Sequence, residues 1–290
     1  MYPWPRSVRI TLSPYTIPVV ASQSLFMTPA PRESSSTLSR ALDILGMFST
    51  AVPLVAVEDI MAHMGYTRST AYRYIKELSD AGLVAPASAG SYSLGPRIVE
   101  LERLMELTDP LYRAGRKVLE GQHCENNALL LHNVYDDKVL CIYKVGPDVL
   151  QQGNQHMTIR RARGIPFSLF QGAASLAMLP YLSAHRIRQT YLRSAAAIQA
   201  AGLGASWDEF RRKMAAIRRV GYATSRGQIT PFVMGVGVPI LLPEDKRLIG
   251  SLARACPAAA MPEEREAECA AELRVLAARI ADEYAVAAHR

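Results

Sequence analysis

The chain has 290 residues, 49% of them hydrophobic and 20% charged, enough for two domains at about 150 residues each. A mean hydropathy of +0.04 excludes a disordered chain and a membrane-filled one, and no run of about 18 apolar residues free of charge or proline is present to cross a membrane. The 33 Lys and Arg against 26 Asp and Glu leave +7, an excess that suits a polyanion such as nucleic acid but also occurs in many enzymes.

Residues 1–33 contain Pro3, Pro5, Pro14, Pro18, Pro29 and Pro31 and no sustained period, so a disordered head is expected. The apolar stretch around Ile17 to Ala21 is too short and too proline-broken for a signal segment. Met27, just ahead of a conventional domain start, is an alternative first residue.

Order is expected from Ser34 onward. The hydroxyl run Ser34 to Thr37 is helix-capping material, and Leu38, Ala41, Leu42, Leu45 and Phe48 follow at helical spacing. A second helix fits Glu58 to Met64, with acids in its first turn and Gly65 at its end. After the short Tyr66-Thr67 connection, a third runs from Arg68 to Asp80. Its inward stripe is Ala71, Tyr74, Ile75 and Leu78, and its other face carries Arg68, Ser69, Tyr72, Arg73 and Lys76. Two helices joined by a tight turn, the second with a basic face, describe a helix-turn-helix. The segments 83–87 and 92–94 can pair as a wing, with Gly90 in the turn. Residues 34–95 hold four cations against five acids, a net of −1, whereas 67–76 hold three cations and no acid. Any DNA footprint must therefore come from placement, and a winged helix used for protein contacts is the alternative.

Further along, Pro96 opens a helix with an apolar stripe of Ile98, Leu101 and Met105. Asp109 caps the next helix, which carries Leu111, Ala114, Val118 and Leu119. Residues 127–132 and 138–145 read as a hairpin about the turn at Tyr135-Asp136-Asp137, and 157–159 as another strand. Helices are expected at 172–182, 184–192, 207–220 and 263–287, with strands at 222–225, 233–242 and 247–255. An antiparallel sheet with helices against it is an α+β architecture.

Enzyme chemistry finds little support. The sequence lacks G-x-S-x-G, H-E-x-x-H and a Walker A loop, and Gly235-Val236-Gly237 lacks the third glycine of a dinucleotide fingerprint. Those glycines read instead as room for close packing within a strand. Cys124, Cys141, Cys256 and Cys269 form no C-x-x-C, so reduced thiols in the cytoplasm are expected, and His123-Cys124 with Cys141 reads as structural before catalytic. His63 reads as surface, Asp136-Asp137 as a turn rather than a metal site, and no cofactor is called for.

The residues 40–45 (Arg-Ala-Leu-Asp-Ile-Leu), 65–73 (Gly-Tyr-Thr-Arg-Ser-Thr-Ala-Tyr-Arg), 82–84 (Gly-Leu-Val) and 92–97 (Tyr-Ser-Leu-Gly-Pro-Arg) resemble, in order and spacing, the N-terminal domain of IclR-type transcriptional regulators. The resemblance extends over about residues 34–285. It implies a winged helix-turn-helix at 34–95, a linker and dimerisation helix at 96–108, and a GAF-like effector domain at 109–290. It further implies a cytoplasmic homodimer or tetramer that binds an operator in double-stranded DNA, senses a small organic acid and controls a catabolic operon. Thr67, Arg68, Ser69, Thr70, Tyr72 and Arg73 would then read or position the major groove, Arg40 would hold a phosphate, and Ser88 and Ser91 would sit on the wing.

In such a regulator the glycine-containing loop into a helix lies beside the effector. Arg163 and Gly164, with Phe167, Phe170, Gly172, Ala173 and Ser175, would form one wall, and Gln228, Met234 and Val236 the other. Arg160, Arg161 and Arg163, with free N–H groups at the helix start, favour an anion, and the two phenylalanines favour a ring. Where relatives carry acids before a proline and glycine after it, this chain has Gln228, Thr230 and Phe232. The alternatives are a small-molecule enzyme with an appended helix-turn-helix, or a regulator whose second domain only oligomerises.

Overall fold

The computed structural model describes residues 36–88, 90–135, 137–160 and 163–288. The expectations for residues 1–33 lie outside them. The described residues form two compact units that part between Ile98 and Val99.

In the first unit, α1 (Thr37–Leu45) starts where the Ser36 hydroxyl accepts from the Ser39 N–H at 3.2 Å. Its apolar residues divide: Ile44 is buried, while Leu38 and Leu42 are exposed. A short β1 (Val55–Ala56) leads into α2 (Val57–Met64), whose start is held by the Asp59 carboxylate accepting from the Ala56 N–H. Gly65 turns the chain at φ 67, a left-handed conformation that favours glycine. Then α3 (Arg68–Asp80) buries Ala71, Tyr74, Ile75 and Leu78, the expected stripe. The wing is β2 (Val84–Ser88) with β3 (Ser91–Leu94), and β1 adds to it in the order β1-β3-β2. Two residues give no periodicity from which β1 can be read.

Next comes α4 (Pro96–Thr108), which has no buried residue. The units part inside it rather than at its start, because the Arg97 N–H bonds to the Gly82 carbonyl at 3.1 Å and fastens the first turn to the wing. The helix α5 (Pro110–Leu119) is capped by the Asp109 carboxylate, which accepts from the Leu111 and Tyr112 N–H groups.

The second unit is built on a six-stranded antiparallel sheet. Its strands are β4 (Ala128–Tyr135), β5 (Lys138–Val145), β8 (Pro166–Ser168), β9 (Ala223–Arg226), β10 (Val233–Leu241) and β11 (Leu248–Pro257), in the order β8-β5-β4-β11-β10-β9. A separate hairpin joins β6 (Val149–Gln152) to β7 (Gln155–Thr158). The helices are α6 (Ala173–Met178), α7 (Ala184–Ala200), α8 (Trp207–Val220) and α9 (Glu266–Ala288). The helix expected at 172–182 is two pieces, because Pro180 has no N–H to continue α6 and the chain tightens into a 3₁₀ turn at Leu179–Tyr181. The helix expected to end at 192 continues through an alanine-rich stretch to 200, with Ser194 out of helical geometry.

One sheet face is closed. Leu129 and Leu131 of β4, Met234, Val236 and Val238 of β10, and Leu252 of β11 pack there with α5 and α9. The opposite face meets α6 and a second core formed with α7 and α8. Gly237 allows this approach, since a Cβ there would lie 2.6 Å from the Ala173 carbonyl oxygen. No helix among the described residues is long and apolar enough to cross a membrane.

Candidate functional site

The 3.6-residue period that buries one side of α3 turns Ser69, Tyr72, Arg73 and Lys76 outward, all exposed. At the start of α3 the Thr67 hydroxyl accepts from the Thr70 N–H and lies 2.9 Å from the Thr70 hydroxyl and 3.1 Å from that of Ser69. Arg73 lies over the Tyr74 ring, 5.2 Å from its centroid. Arg68 is already partnered, donating to Glu58 at 3.0 Å with both side chains 61% exposed. An ion pair that exposed holds about 0–1 kcal/mol, little enough for a phosphate to displace it. Arg40 is exposed on α1. The Ser88 and Ser91 hydroxyls are 2.7 Å apart across the wing.

In the second unit, the face of the sheet that meets α6 holds a cavity of about 80 Å³, room for roughly five to eight waters. Leu130, Gly235 and Ala255 floor it, α6 contributes Ala173 and Ala174, and Ile159 and Phe167 close the sides. Its polar groups include Arg160, His132, Gln228 and Thr230, and among the described residues no carboxylate lines it. The His132 and Phe167 rings meet edge to face at 5.5 Å.

Of the residues expected to form this site, Phe167, Gly172, Ala173 and Gln228 line the cavity, and the others do not. Met234 and Val236 point into the closed face, because alternate residues of β10 face opposite ways and Gly235 takes the cavity side. Phe170 fills the second core with Leu176 and Met178. Ser175 is fully buried, its hydroxyl donating to the Ser168 carbonyl at 2.8 Å. Gly164 makes a turn at φ 80, its N–H on the Cys141 carbonyl. Arg163 turns away to Glu102 and Glu106 of α4, with its Nε on the Ile142 carbonyl at 3.0 Å. The Tyr112 hydroxyl donates to Glu106 at 2.7 Å, and this bond first, then Arg103 and Arg163, holds that carboxyl below the usual carboxylate range.

At the start of α6 the Gly172 N–H bonds to Gln228 Oε1 at 3.2 Å and the Ala173 N–H to Ser225 Oγ at 3.1 Å, so two of the donors expected there for an anion are occupied. Arg160 is the exposed cation of the lining instead. Phe232 keeps φ 62, the conformation suited to the glycine of the common pattern. Leu130, His132, Ala253 and Ala255 were missed as lining residues.

A catalytic reading gains nothing from the thiols. Burial pushes Cys141 up to about 12 and Cys256 up to about 11, so neither supplies a thiolate near neutrality. Among the described residues no group of three His, Cys, Asp or Glu is placed to hold a metal.

Comparison with known proteins agrees with this geometry. The model of the IclR helix-turn-helix domain matches residues 37–87. The HTH-type transcriptional regulator KipR of Bacillus subtilis is 20% identical over 214 residues, covering 72% of this chain and 81% of its own. A structure from Silicibacter sp. TM1040, assigned to the IclR transcriptional regulators, superposes with a TM-score of 0.64 at 25% identity, covering 86% of this chain and 96% of that one. An IclR homologue from Microbacterium hydrocarbonoxydans, complexed with 4-hydroxybenzoate, gives a TM-score of 0.62 at 20% identity, with 87% and 100% covered. The chain thus carries an IclR helix-turn-helix domain at residues 37–87, and its winged helix-turn-helix and antiparallel sheet have the fold seen in structures of IclR transcriptional regulators.

Proposed function

We propose that this regulator is a homodimer, able to pair into tetramers, that binds operator DNA through α3 and the wing and senses a small aromatic carboxylate in the cavity beside α6. The observation that carries the sensing is the cavity itself, apolar on most sides, free of carboxylates and edged by Arg160. An aromatic acid matches it: the ring meets Leu130, Ile159 and Phe167, and the carboxylate meets Arg160. That a homologue of the same fold is complexed with 4-hydroxybenzoate supports this chemistry. An acid of this kind is a carbon source, so the controlled genes are expected to be catabolic. For DNA, the cations and hydroxyls on the exposed face of α3 are placed to position the helix on phosphates and reach base edges.

The dimer reading rests on α4, where Val99, Leu101, Leu104, Met105 and Leu107 are all exposed. An apolar helix with no buried residue is covered in a dimer. The variant Leu101→Asp places a charge in that interface. It is expected to run as a monomer in light scattering and to lose operator binding, since two half-sites one helical turn apart need two linked wings. A variant that stays dimeric and binds normally contradicts the reading.

A further inference from the structure

The positive charge of the chain is not where the winged helix is. Residues 34–95 carry a net of −1, whereas residues 184–220, spanning α7 and α8, carry eight cations against Asp208 and Glu209, a net of +6 out of +7 for the whole chain. Seven of the eight are exposed: Arg188, Arg193, Arg211, Arg212, Lys213, Arg218 and Arg219. Arg193 is paired with Asp137, and Lys213 donates to the Gly202 carbonyl. Arg188, Arg211, Arg212, Arg218 and Arg219 have no carboxylate within ion-pair distance among the described residues. Elsewhere, Arg68, Arg103, Arg116, Arg163, Arg226, Arg247, Arg254 and Arg265 have such a partner, and those without one among the described residues, Arg73, Arg113, Arg160, Arg274 and Arg279, are spread over several elements. Five uncompensated arginines on two neighbouring helices repel one another, a cost that an anionic partner removes.

Their arrangement points to phosphate. On α8 the pairs Arg211 and Arg212 recur as Arg218 and Arg219 seven residues on, about 10.5 Å along the axis, giving a charged stripe rather than a single pocket. Arg188 and Arg211 lie over the Trp207 ring at 5.7 and 5.9 Å, and Arg218 over Tyr181 at 5.2 Å. Stacking of this kind fixes the guanidinium planes and leaves N–H edges for oxygens, the bidentate geometry phosphates take. Leu192 and Val220 are the only large apolar side chains exposed on these two helices among the described residues, few for the apolar core of a protein interface.

We propose that the α7–α8 face is a second DNA-binding surface, which holds the phosphate backbone of duplex DNA without reading sequence. It goes beyond the winged-helix reading and draws on it only for the identity of the polyanion, duplex DNA.

The test is the salt dependence of binding to a 40-bp duplex of random sequence, measured by fluorescence anisotropy on the full chain. Three variants are compared: R211Q/R212Q/R218Q/R219Q, the lysine counterpart R211K/R212K/R218K/R219K, and Arg73→Ala in α3. The glutamine variant, folded by circular dichroism, is expected to lose at least tenfold in affinity at 100 mM salt and about three units of salt slope. The lysine variant keeps the slope, and Arg73→Ala loses about one unit. If Arg73→Ala has no effect while the glutamine variant does, the α3 assignment fails and this proposal stands. Wild-type affinity and slope in the glutamine variant overturn it. An equal loss of binding to poly-L-glutamate also overturns it, because the face is then a site for an acidic protein.

Discussion

The two faces of the six-stranded sheet are both largely apolar but differ in the bulk of their side chains. On the face toward α5 and α9, Leu129, Leu131, Met234, Val236 and Leu252 interdigitate with two helices and leave nothing open. On the face toward α6, smaller residues such as Gly235, Ala253 and Ala255 stand where side chains would have filled the space, and a cavity remains. One short helix of six residues covers that side, held close by Gly237 and by the bonds from Gln228 and Ser225. A cavity here thus follows from what the strands leave out. The closed face supplies stability, and the open face has little apolar bulk to lose and, on the proposed reading, a ligand to gain.

Changes on each face sharpen that contrast. Leu131→Ala removes a fully buried side chain from the closed face and should cost about 2–5 kcal/mol in chemical denaturation, with no change in the affinity for any acid that binds. Gly237→Ala pushes a methyl against the Ala173 carbonyl and should cost about 1–3 kcal/mol. It should also weaken ligand binding, because the helix it displaces is a cavity wall. Arg160→Gln alters an exposed side chain, so stability should move by less than about 0.5 kcal/mol, while affinity for benzoate falls about tenfold and affinity for benzamide does not. The smallest effect belongs to Cys141, whose thiol burial pushes up to about 12. It stays protonated between pH 6 and 9, so Cys141 in the folded protein should be labelled there by a thiol reagent, read by peptide mass, no faster than the protein unfolds, whereas the part-exposed Cys124 is labelled sooner.

Period decided what was legible in the sequence. The helix α3 alternates buried and exposed residues at 3.6 spacing, so its range and inward stripe are readable directly; the stripe of Ile98, Leu101 and Met105 read for α4 is not set apart in the structure, where Val99, Leu104 and Leu107 are exposed as well and no residue is buried. The strand β10 is apolar or small at nearly every position, and no alternation tells which set faces which way. Met234 and Val236 were therefore assigned to the cavity when Gly235 is the residue there. Arg160 and Arg163 lie outside the helices and strands, where nothing local says that Arg160 turns toward the cavity and Arg163 toward Glu102 and Glu106 of α4; Arg161 lies outside the described residues. Free N–H groups at the start of α6 were a fair expectation from chain-local rules, but their partners, Gln228 and Ser225, are more than 50 residues away. Composition misled in a similar way: the basic excess is real, yet it lies on α7 and α8 rather than in the winged helix.

The central claim is that the open face of the sheet is a carboxylate sensor. Isothermal titration of the full chain with benzoate, 4-hydroxybenzoate, phenylacetate and a set of aliphatic acids tests it most directly, with Arg160→Gln and Leu131→Ala titrated in parallel. The account predicts that at least one aromatic acid binds the wild type, that Leu131→Ala retains this affinity and that Arg160→Gln loses about tenfold. A ligand held at 100 times its dissociation constant should then add about 2.7 kcal/mol of stability. No heat from any acid at millimolar concentration with folded protein, or equal binding by Arg160→Gln, would contradict it.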